Sequence, residues 1–388
     1  MKFPKKLKSK LSTRLENQAL RTLGKPSNLV DFSSNDYLGF AKSATIFDET
    51  HQFLVANNIK LNGVTGSRLL SGNHALYGDV EALLCDFHQS EAALVFNSGY
   101  DANIGFFSSV PQRGDVILYD EAIHASIRDG IQLSNAKAYK FKHNNIEDLQ
   151  HRILSVRAQS RTQELEIYVV TESVFSMDGD SPDLQAISEI CKKHRAHLIV
   201  DEAHAVGVFG QYGCGEVQRL GLEREVFARI VTFGKALGCH GAAILGSLAL
   251  KNYLVNFARS FIYTTGLSPH ALATIKIGYN QLIILSDNEE SQQEKLAENI
   301  SFFKSELLSL GLQRLFIESD SAIHCCVISG NQNVKEIAQK LQENGFDVKP
   351  ILSPTVQQGE ERLRFCLHAY NSRKEITDVL ELLSTFVT

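Results

Sequence analysis

Between residues 166 and 237 the chain repeats one pattern: a short apolar run, a polar end, a helical stretch and another apolar run. EIYVVTES, HLIVDEAHA and RIVTFGKAL read as strands. DLQAISEICKKH, between the first two, spaces its apolar residues at helical intervals. Strands joined by helices pair in parallel, because a parallel crossover needs about a dozen residues and usually a helix. Runs that are apolar on both faces need cover on both. The expected fold is therefore α/β, a mainly parallel sheet with helices on each face. Within IVTFGKALGCHGAAILG, Ile230 to Phe233 form that third strand, and Gly241 to Gly246 begins another. AALVFNSGYDANIGFF reads as a strand or helix end, a glycine turn and a helix start.

A chain of 388 residues exceeds what one core usually serves. Residues 1–45 are expected to form an N-terminal helix and connection, 46–284 a large domain, and 285–388 a smaller α+β domain. The last carries a charged helix in NEESQQEKLAENISFFKSELLSL, strands in SAIHCCVISG and RLRFCLHAY, and a helix in VKEIAQKLQENG between them. A net charge of -5 implies no general affinity for nucleic acid. The basic start, MKFPKKLKSK, has no apolar core behind it, so it is not a signal peptide, and no run reaches membrane-spanning length. Seven cysteines, with no CxxC pair, suit reduced thiols in a cytoplasm.

Ligands of open parallel sheets sit at the carboxyl ends of the strands. Glu172 and Ser176 follow the first strand, Asp201 and His204 the second, and Thr232 and Lys235 the third, while Ser98-Gly99 follows an earlier one. An acid, an imidazole, hydroxyls and an amine on one rim suit an aldehyde cofactor that forms a Schiff base with lysine. Pyridoxal phosphate needs a carboxylate to keep its ring nitrogen protonated, and Asp201 supplies one. Its phosphate needs hydroxyls and backbone N–H groups at a helix start, available at Ser98-Gly99-Tyr100, Thr232 and Thr264. Its ring needs a flat partner, and His124 in YDEAIHASI is one. A metal site on His197, Asp201 and His204 is the alternative from a different class of enzyme. A non-catalytic scaffold that has kept the fold is a third reading. GxxxxGK[ST], HExxH, GxSxG and a forward GxGxxG are absent.

TESVFSMDGD, VDEAHAVGVFG, TFGKALG and PTVQQGEERLRF together resemble the α-oxoamine synthases, fold-type I pyridoxal-phosphate enzymes, from SSNDYLGF to the C-terminal RLR segment. The resemblance implies a seven-stranded, mainly parallel sheet and a smaller C-terminal domain. It implies condensation of an amino acid with an acyl-CoA, giving an α-amino ketone, CoA and CO₂. Lys235 looks like the Schiff-base lysine and the base that removes the Cα proton. By the same resemblance Asp201 pairs with the ring nitrogen, His204 with the phenolic oxygen, and His124 stacks on the ring. Ser98, Ser176, Thr232 and the Gly99-Tyr100 amides contact the cofactor. Thr264 is expected to reach the phosphate of a neighbouring subunit, in a homodimer with its active site at the interface. Arg364 and Asn35 would hold the amino-acid carboxylate, an arginine fork suiting that geometry. Arg21, Glu172 and Thr355 would touch substrate.

GAAILGS after the lysine resembles the branch that joins L-alanine to pimeloyl-CoA; the glycine-using branches tend to read GGY there. Glycine with acetyl-CoA, or serine with a long acyl-CoA, is the alternative substrate pair. Gln357 stands where the family usually has proline, and Tyr77 where a histidine is common. The linker from Arg21 to Asp31 is short. These departures bear on acyl-chain choice and on the N-terminal contacts.

Overall fold

The computed structural model describes residues 3–24, 28–159, 165–286 and 291–387. Residues 25–27 of the short linker and 287–290 at the start of the charged helix lie outside them. Strands among the described residues are β1 (Val30–Asp31), β2 (Ala92–Phe96), β3 (Val116–Asp120), β4 (Lys137–Phe141), β5 (Ile167–Glu172), β6 (His197–Asp201), β7 (Ala228–Thr232), β8 (Ala242–Gly246), β9 (Ile323–Val327), β10 (Phe346–Asp347), β11 (Lys349–Ile351) and β12 (Arg362–Cys366). The chain divides into two units. One comprises Asp36–Phe175 and Ser181–Gln293; the other comprises Met1–Asn35, Ser176–Asp180 and Glu294–Thr388.

The larger unit is built on a seven-stranded sheet in the order β2-β8-β7-β6-β5-β3-β4. β4, β3, β5, β6 and β7 pair in parallel, and β8 runs antiparallel to both β7 and β2. β8 alone is reversed, so the sheet is mainly parallel, as expected. Successive residues alternate between two cores. Tyr168, Val170 and Ile199 join Phe106, Phe107, Ile127 and Leu254 on one face. Val169, Leu198 and Val200 join Leu149, Ile153, Ile187 and Cys191 on the other. This is why these strands read as unbroken apolar runs. The helix Leu184–His194 is capped by Asp183, whose side chain accepts the Ala186 N–H at 2.9 Å. It buries Leu184, Ile187 and Cys191 at the i, i+3, i+7 spacing read from the sequence.

The smaller unit carries the antiparallel sheet β11-β12-β9 and the parallel pair β1-β10. The division differs from the three expected segments. Residues 36–45 belong with the large sheet, and the internal stretch Ser176–Asp180 belongs with the small unit. Hydrogen bonds explain the second point. Ser176 O accepts from Arg364 Nε at 2.7 Å, Met177 O from Arg362 Nη1 at 3.2 Å, and Gly179 O from both Ser319 Oγ and Ser321 Oγ at 2.8 Å. Gly179 has φ +82°, and a Cβ there would lie 2.1 Å from Ile323 O. No described helix is long and apolar enough to cross a membrane. All seven cysteines are free thiols.

Candidate active site

Parallel pairing sets the centre of the site. Glu172 ends β5 and Asp201 ends β6, and the two are register partners, each nearly buried. Two neighbouring carboxyls in low dielectric cannot both ionise cheaply. Burial, then the charge of Asp201, pushes Glu172 up to about 8, against the opposing pull of Lys235 and the His124 N–H. Asp201 is held differently. Its Oδ1 accepts the Ala203 N–H and its Oδ2 accepts Asn103 Nδ2, both at 3.0 Å.

β2 leads into the helix Gly99–Ser109. Ser98 caps it, its Oγ accepting the Asp101 N–H at 3.0 Å. Gly99 lies against the end of β7, where an added Cβ would sit 2.7 Å from Thr232 Cγ2. Tyr100 turns its side chain outward and donates to Asp129 Oδ2 at 2.7 Å, so its backbone is what it can offer here. A helix N-terminus beside a threonine hydroxyl is a ready anion site. Thr264 is tied to the same stretch, accepting from Asn97 Nδ2 at 3.1 Å.

His124 caps the helix Ala125–Gln132, its Nδ1 accepting the Ser126 N–H at 3.2 Å. Its own N–H donates to Glu172 Oε1. The residue as a whole keeps part of its surface exposed. Loss of hydration lowers its pKa and favours a neutral imidazole, although the charge of Asp201 opposes the shift. His204 is buried, with Nδ1 2.7 Å from the hydroxyl of buried Tyr37. Lys235 stands half-buried in the turn after β7, and its charge acts on both His124 and Glu172. That turn is braced from two sides. Gly238 has φ +59°, and a Cβ there would meet Ala41 N at 2.1 Å. Ala236 Cβ would lie 2.4 Å from a Cβ added to Gly207.

The smaller unit gathers the other expected residues. Arg364 on β12 is buried; its Nε donates to Ser176 O, and its Nη2 to Asn35 Oδ1 at 3.0 Å. Its Nη1 lies 2.8 Å from Cys366 Sγ. Arg21 and Thr355 meet at the surface, Nη2 donating to Oγ1 at 3.3 Å. Tyr77, in the larger unit, is a core residue. It accepts the Leu267 N–H at 2.6 Å and carries the Arg68 guanidinium 3.7 Å from its ring centroid. The metal alternative fails on geometry. His197 opens β6 and Asp201 closes it, so the strand holds them at opposite ends, and His197 Nε2 is engaged with Glu166 at 2.9 Å.

Sequence reasoning missed Tyr37, Asn103 and Ser126. Tyr37 stood in view within SSNDYLGF, and Asn103 lies one helical turn beyond Gly99. Nothing in the sequence alone joins them to His204 or Asp201.

The aminotransferase class I and II family matches residues 27–383. The chain belongs to that family. The 8-amino-7-oxononanoate synthase of Emericella nidulans is 40% identical over 377 residues, covering 93% of this chain and 90% of the relative. That of Lysinibacillus sphaericus is 36% identical, covering 90% and 86%. A solved serine palmitoyltransferase from S. paucimobilis, with a bound PLP-myriocin aldimine, aligns with a TM-score of 0.87 at 26% identity, over 98% of this chain and 96% of that one. An 8-amino-7-oxononanoate synthase from Francisella tularensis aligns at 0.75 and 28% identity, over 93% and 98%. Within the aminotransferase class I and II family these are α-oxoamine synthases, and this chain is one of them. The donor set of the larger unit fits pyridoxal phosphate: a lysine, a buried acid, a neutral imidazole and a capped helix start beside a threonine.

Proposed function

We propose that this chain condenses L-alanine with pimeloyl-CoA, releasing CoA and CO₂ and forming 8-amino-7-oxononanoate. The observation that carries this reading is the 40% identity to a synthase of that name over nearly the whole chain. GAAILGS after Lys235 supports it. When bound, pyridoxal phosphate supplies an aldehyde for an amine and a ring that accepts the electrons of a carbanion. The chain's own groups do the rest. Asp201 keeps a proton on the ring nitrogen by favouring its cationic form. Neutral His124 would stack on the ring face, and His204, whose Nδ1 lies 2.7 Å from the Tyr37 hydroxyl, would pair with the phenolic oxygen. Ser98, the Gly99 and Tyr100 amides, Thr232 and Ser176 hold the cofactor. Lys235 Nζ takes the proton from the amino-acid Cα. Arg364 and Asn35 grip the amino-acid carboxylate, while Arg21, Glu172 and Thr355 contact substrate.

The enzyme is further proposed to work in the cytoplasm as a homodimer, with Thr264 reaching the partner's phosphate. Serine palmitoyltransferases give the second reading, on their high backbone similarity. Substrate choice depends on side chains, so the higher identity favours alanine. The test is the visible spectrum of the purified protein with L-alanine, glycine and L-serine added in turn, followed by CoA release with pimeloyl-, acetyl- and palmitoyl-CoA. A band that responds to alanine, with release from pimeloyl-CoA, is expected. A response to glycine or serine instead would replace the substrate, and no band after adding pyridoxal phosphate would refute the cofactor chemistry. Sedimentation of the loaded protein checks the dimer.

A further inference from the structure

Asp201 and His124 end different elements, yet two buried side chains outside the expected set link them. Asn103, on the helix Gly99–Ser109, donates Nδ2 to Asp201 Oδ2 and to Ser126 Oγ, both at 3.0 Å. Ser126 Oγ lies 2.7 Å from His124 Nδ1. Asn103 and Ser126 are 2% and 1% exposed, so water does not substitute for either.

The direction of every hydrogen in this line follows from one backbone group. The Ser126 N–H can only donate, and it points at His124 Nδ1. Nδ1 is therefore an unprotonated acceptor, and the neutral ring carries its hydrogen on Nε2. The Ser126 hydroxyl then donates to Nδ1 as well, which leaves its oxygen to accept from Asn103. The Asn103 amide is committed in turn. Turned over, its Oδ1 would face the Asp201 carboxylate. In the orientation found, Oδ1 is buried with no hydrogen-bond partner, a cost the helix carries to keep the NH₂ on Asp201.

We propose that Asn103 and Ser126 are positioning residues, a hydrogen-bond line of fixed polarity that holds the Asp201 carboxylate and the His124 ring in register for the cofactor. The inference rests on the reading above that Asp201 and His124 flank the pyridoxal ring. A charge-assisted bond to Oδ2, beside the Ala203 N–H bond to Oδ1, fixes the plane in which the carboxylate meets the ring nitrogen. Two donors on Nδ1 fix the imidazole plane. Neither Asn103 nor Ser126 need touch the cofactor.

The test uses the pyridoxal-phosphate-loaded enzyme and four variants: Asn103→Leu, Ser126→Ala, Asp201→Asn and His124→Ala. The readouts are the cofactor's visible band, its circular dichroism, its pH titration and the split between kcat and KM. Without the Asn103 donor the Asp201 carboxylate is held less firmly against the ring nitrogen, and less positive charge stays on the ring. Asn103→Leu is expected to move the band's titration midpoint upward by about half a pH unit or more. Its kcat should fall about tenfold or more while KM for the amino acid changes less than about threefold, because a small misplacement costs the chemical step more than binding. Ser126→Ala should reduce the band's dichroism with a smaller loss of kcat, and it keeps the question answerable if the leucine variant does not fold. Wild-type band, dichroism and titration in Ser126→Ala, and in Asn103→Leu when it folds, would overturn the inference alone, provided Asp201→Asn and His124→Ala perturb them. If those two variants also leave the band unchanged, the reading of the site falls, and the inference with it.

Discussion

At the residue scale the chemistry depends on a few groups whose charge is set by their neighbours. Lys235 is half-buried among groups it influences electrostatically. Lys235→Ala is expected to abolish turnover and the lysine-linked visible band, with the melting temperature held within about 3 °C. Activity assays beside calorimetry check both halves. Glu172 carries the opposite lesson. Its carboxyl titrates near 4.5 when unfolded and is pushed up to about 8 in the fold. The native state therefore holds a proton that the unfolded state has lost between those values. Its contribution to stability is intact below about 4.5 and is lost as pH rises through about 8, at up to about 1.4 kcal/mol per pH unit. Glu172→Gln keeps an acceptor for the His124 N–H and removes the titration. Cofactor-free Glu172→Gln should lose less stability than the parent between pH 5 and 8 in denaturant titrations.

At the scale of elements the site is a set of strand ends and turns that fit closely. Gly238 closes the turn that presents Lys235, in a left-handed conformation and with no room for a Cβ beside Ala41 N. Gly238→Ala is expected to cost about 1–3 kcal/mol from backbone strain alone. It should also weaken cofactor loading, because relieving the clash moves the turn. Denaturant melts and a titration with pyridoxal phosphate separate the two effects: unchanged loading in the folded variant would mean the turn does not place the lysine. The helix Lys5–Glu16 behaves differently. It buries nothing, although Leu7, Leu11 and Leu15 recur every fourth residue. An apolar stripe was legible there, and among the described residues it stays exposed.

At the scale of the whole molecule, buried histidines set the response to acid. His88 is held well below its usual pKa, first by burial and then by the Arg229 charge. His324 is lowered to about 3, also mainly by burial. Both are neutral in the fold, while the unfolded chain gains their protons near pH 6.5. Stability that is complete above about 6.5 is therefore lost as pH falls, by up to about 1.4 kcal/mol per pH unit for each proton. His324 Nε2 has no hydrogen-bond partner, and the ring packs 4.7 Å from the centroid of Phe303. His324→Leu should match or exceed the parent's stability at pH 7 and lose less of it between pH 6.5 and 5. Melting curves across that range decide the matter, and an unchanged slope would remove His324 as a cause.

What the sequence by itself determined is local and periodic. Apolar runs ending in Glu172, Asp201 and Thr232 announced parallel strands, because a strand buried on both faces leaves a mark in every residue. Lys235, Asp201 and His124 were visible for a similar reason, since few side chains suit an aldehyde cofactor and each stood at a strand or helix end. The tertiary structure decided what depends on register and on distant segments. It buried Glu172 and set it beside Asp201 on the next strand, and so made Glu172 a weak acid. It brought Tyr37 to His204 across 167 residues, and Asn103 to Asp201 across 98. It pulled Ser176–Asp180 into the smaller unit through bonds to Arg362, Arg364, Ser319 and Ser321. It separated His197 from Asp201 by the length of a strand. A sequence records which groups a chain owns; side-chain bonds and shared charge act over a few ångströms, and only the packed fold determines which groups come that close.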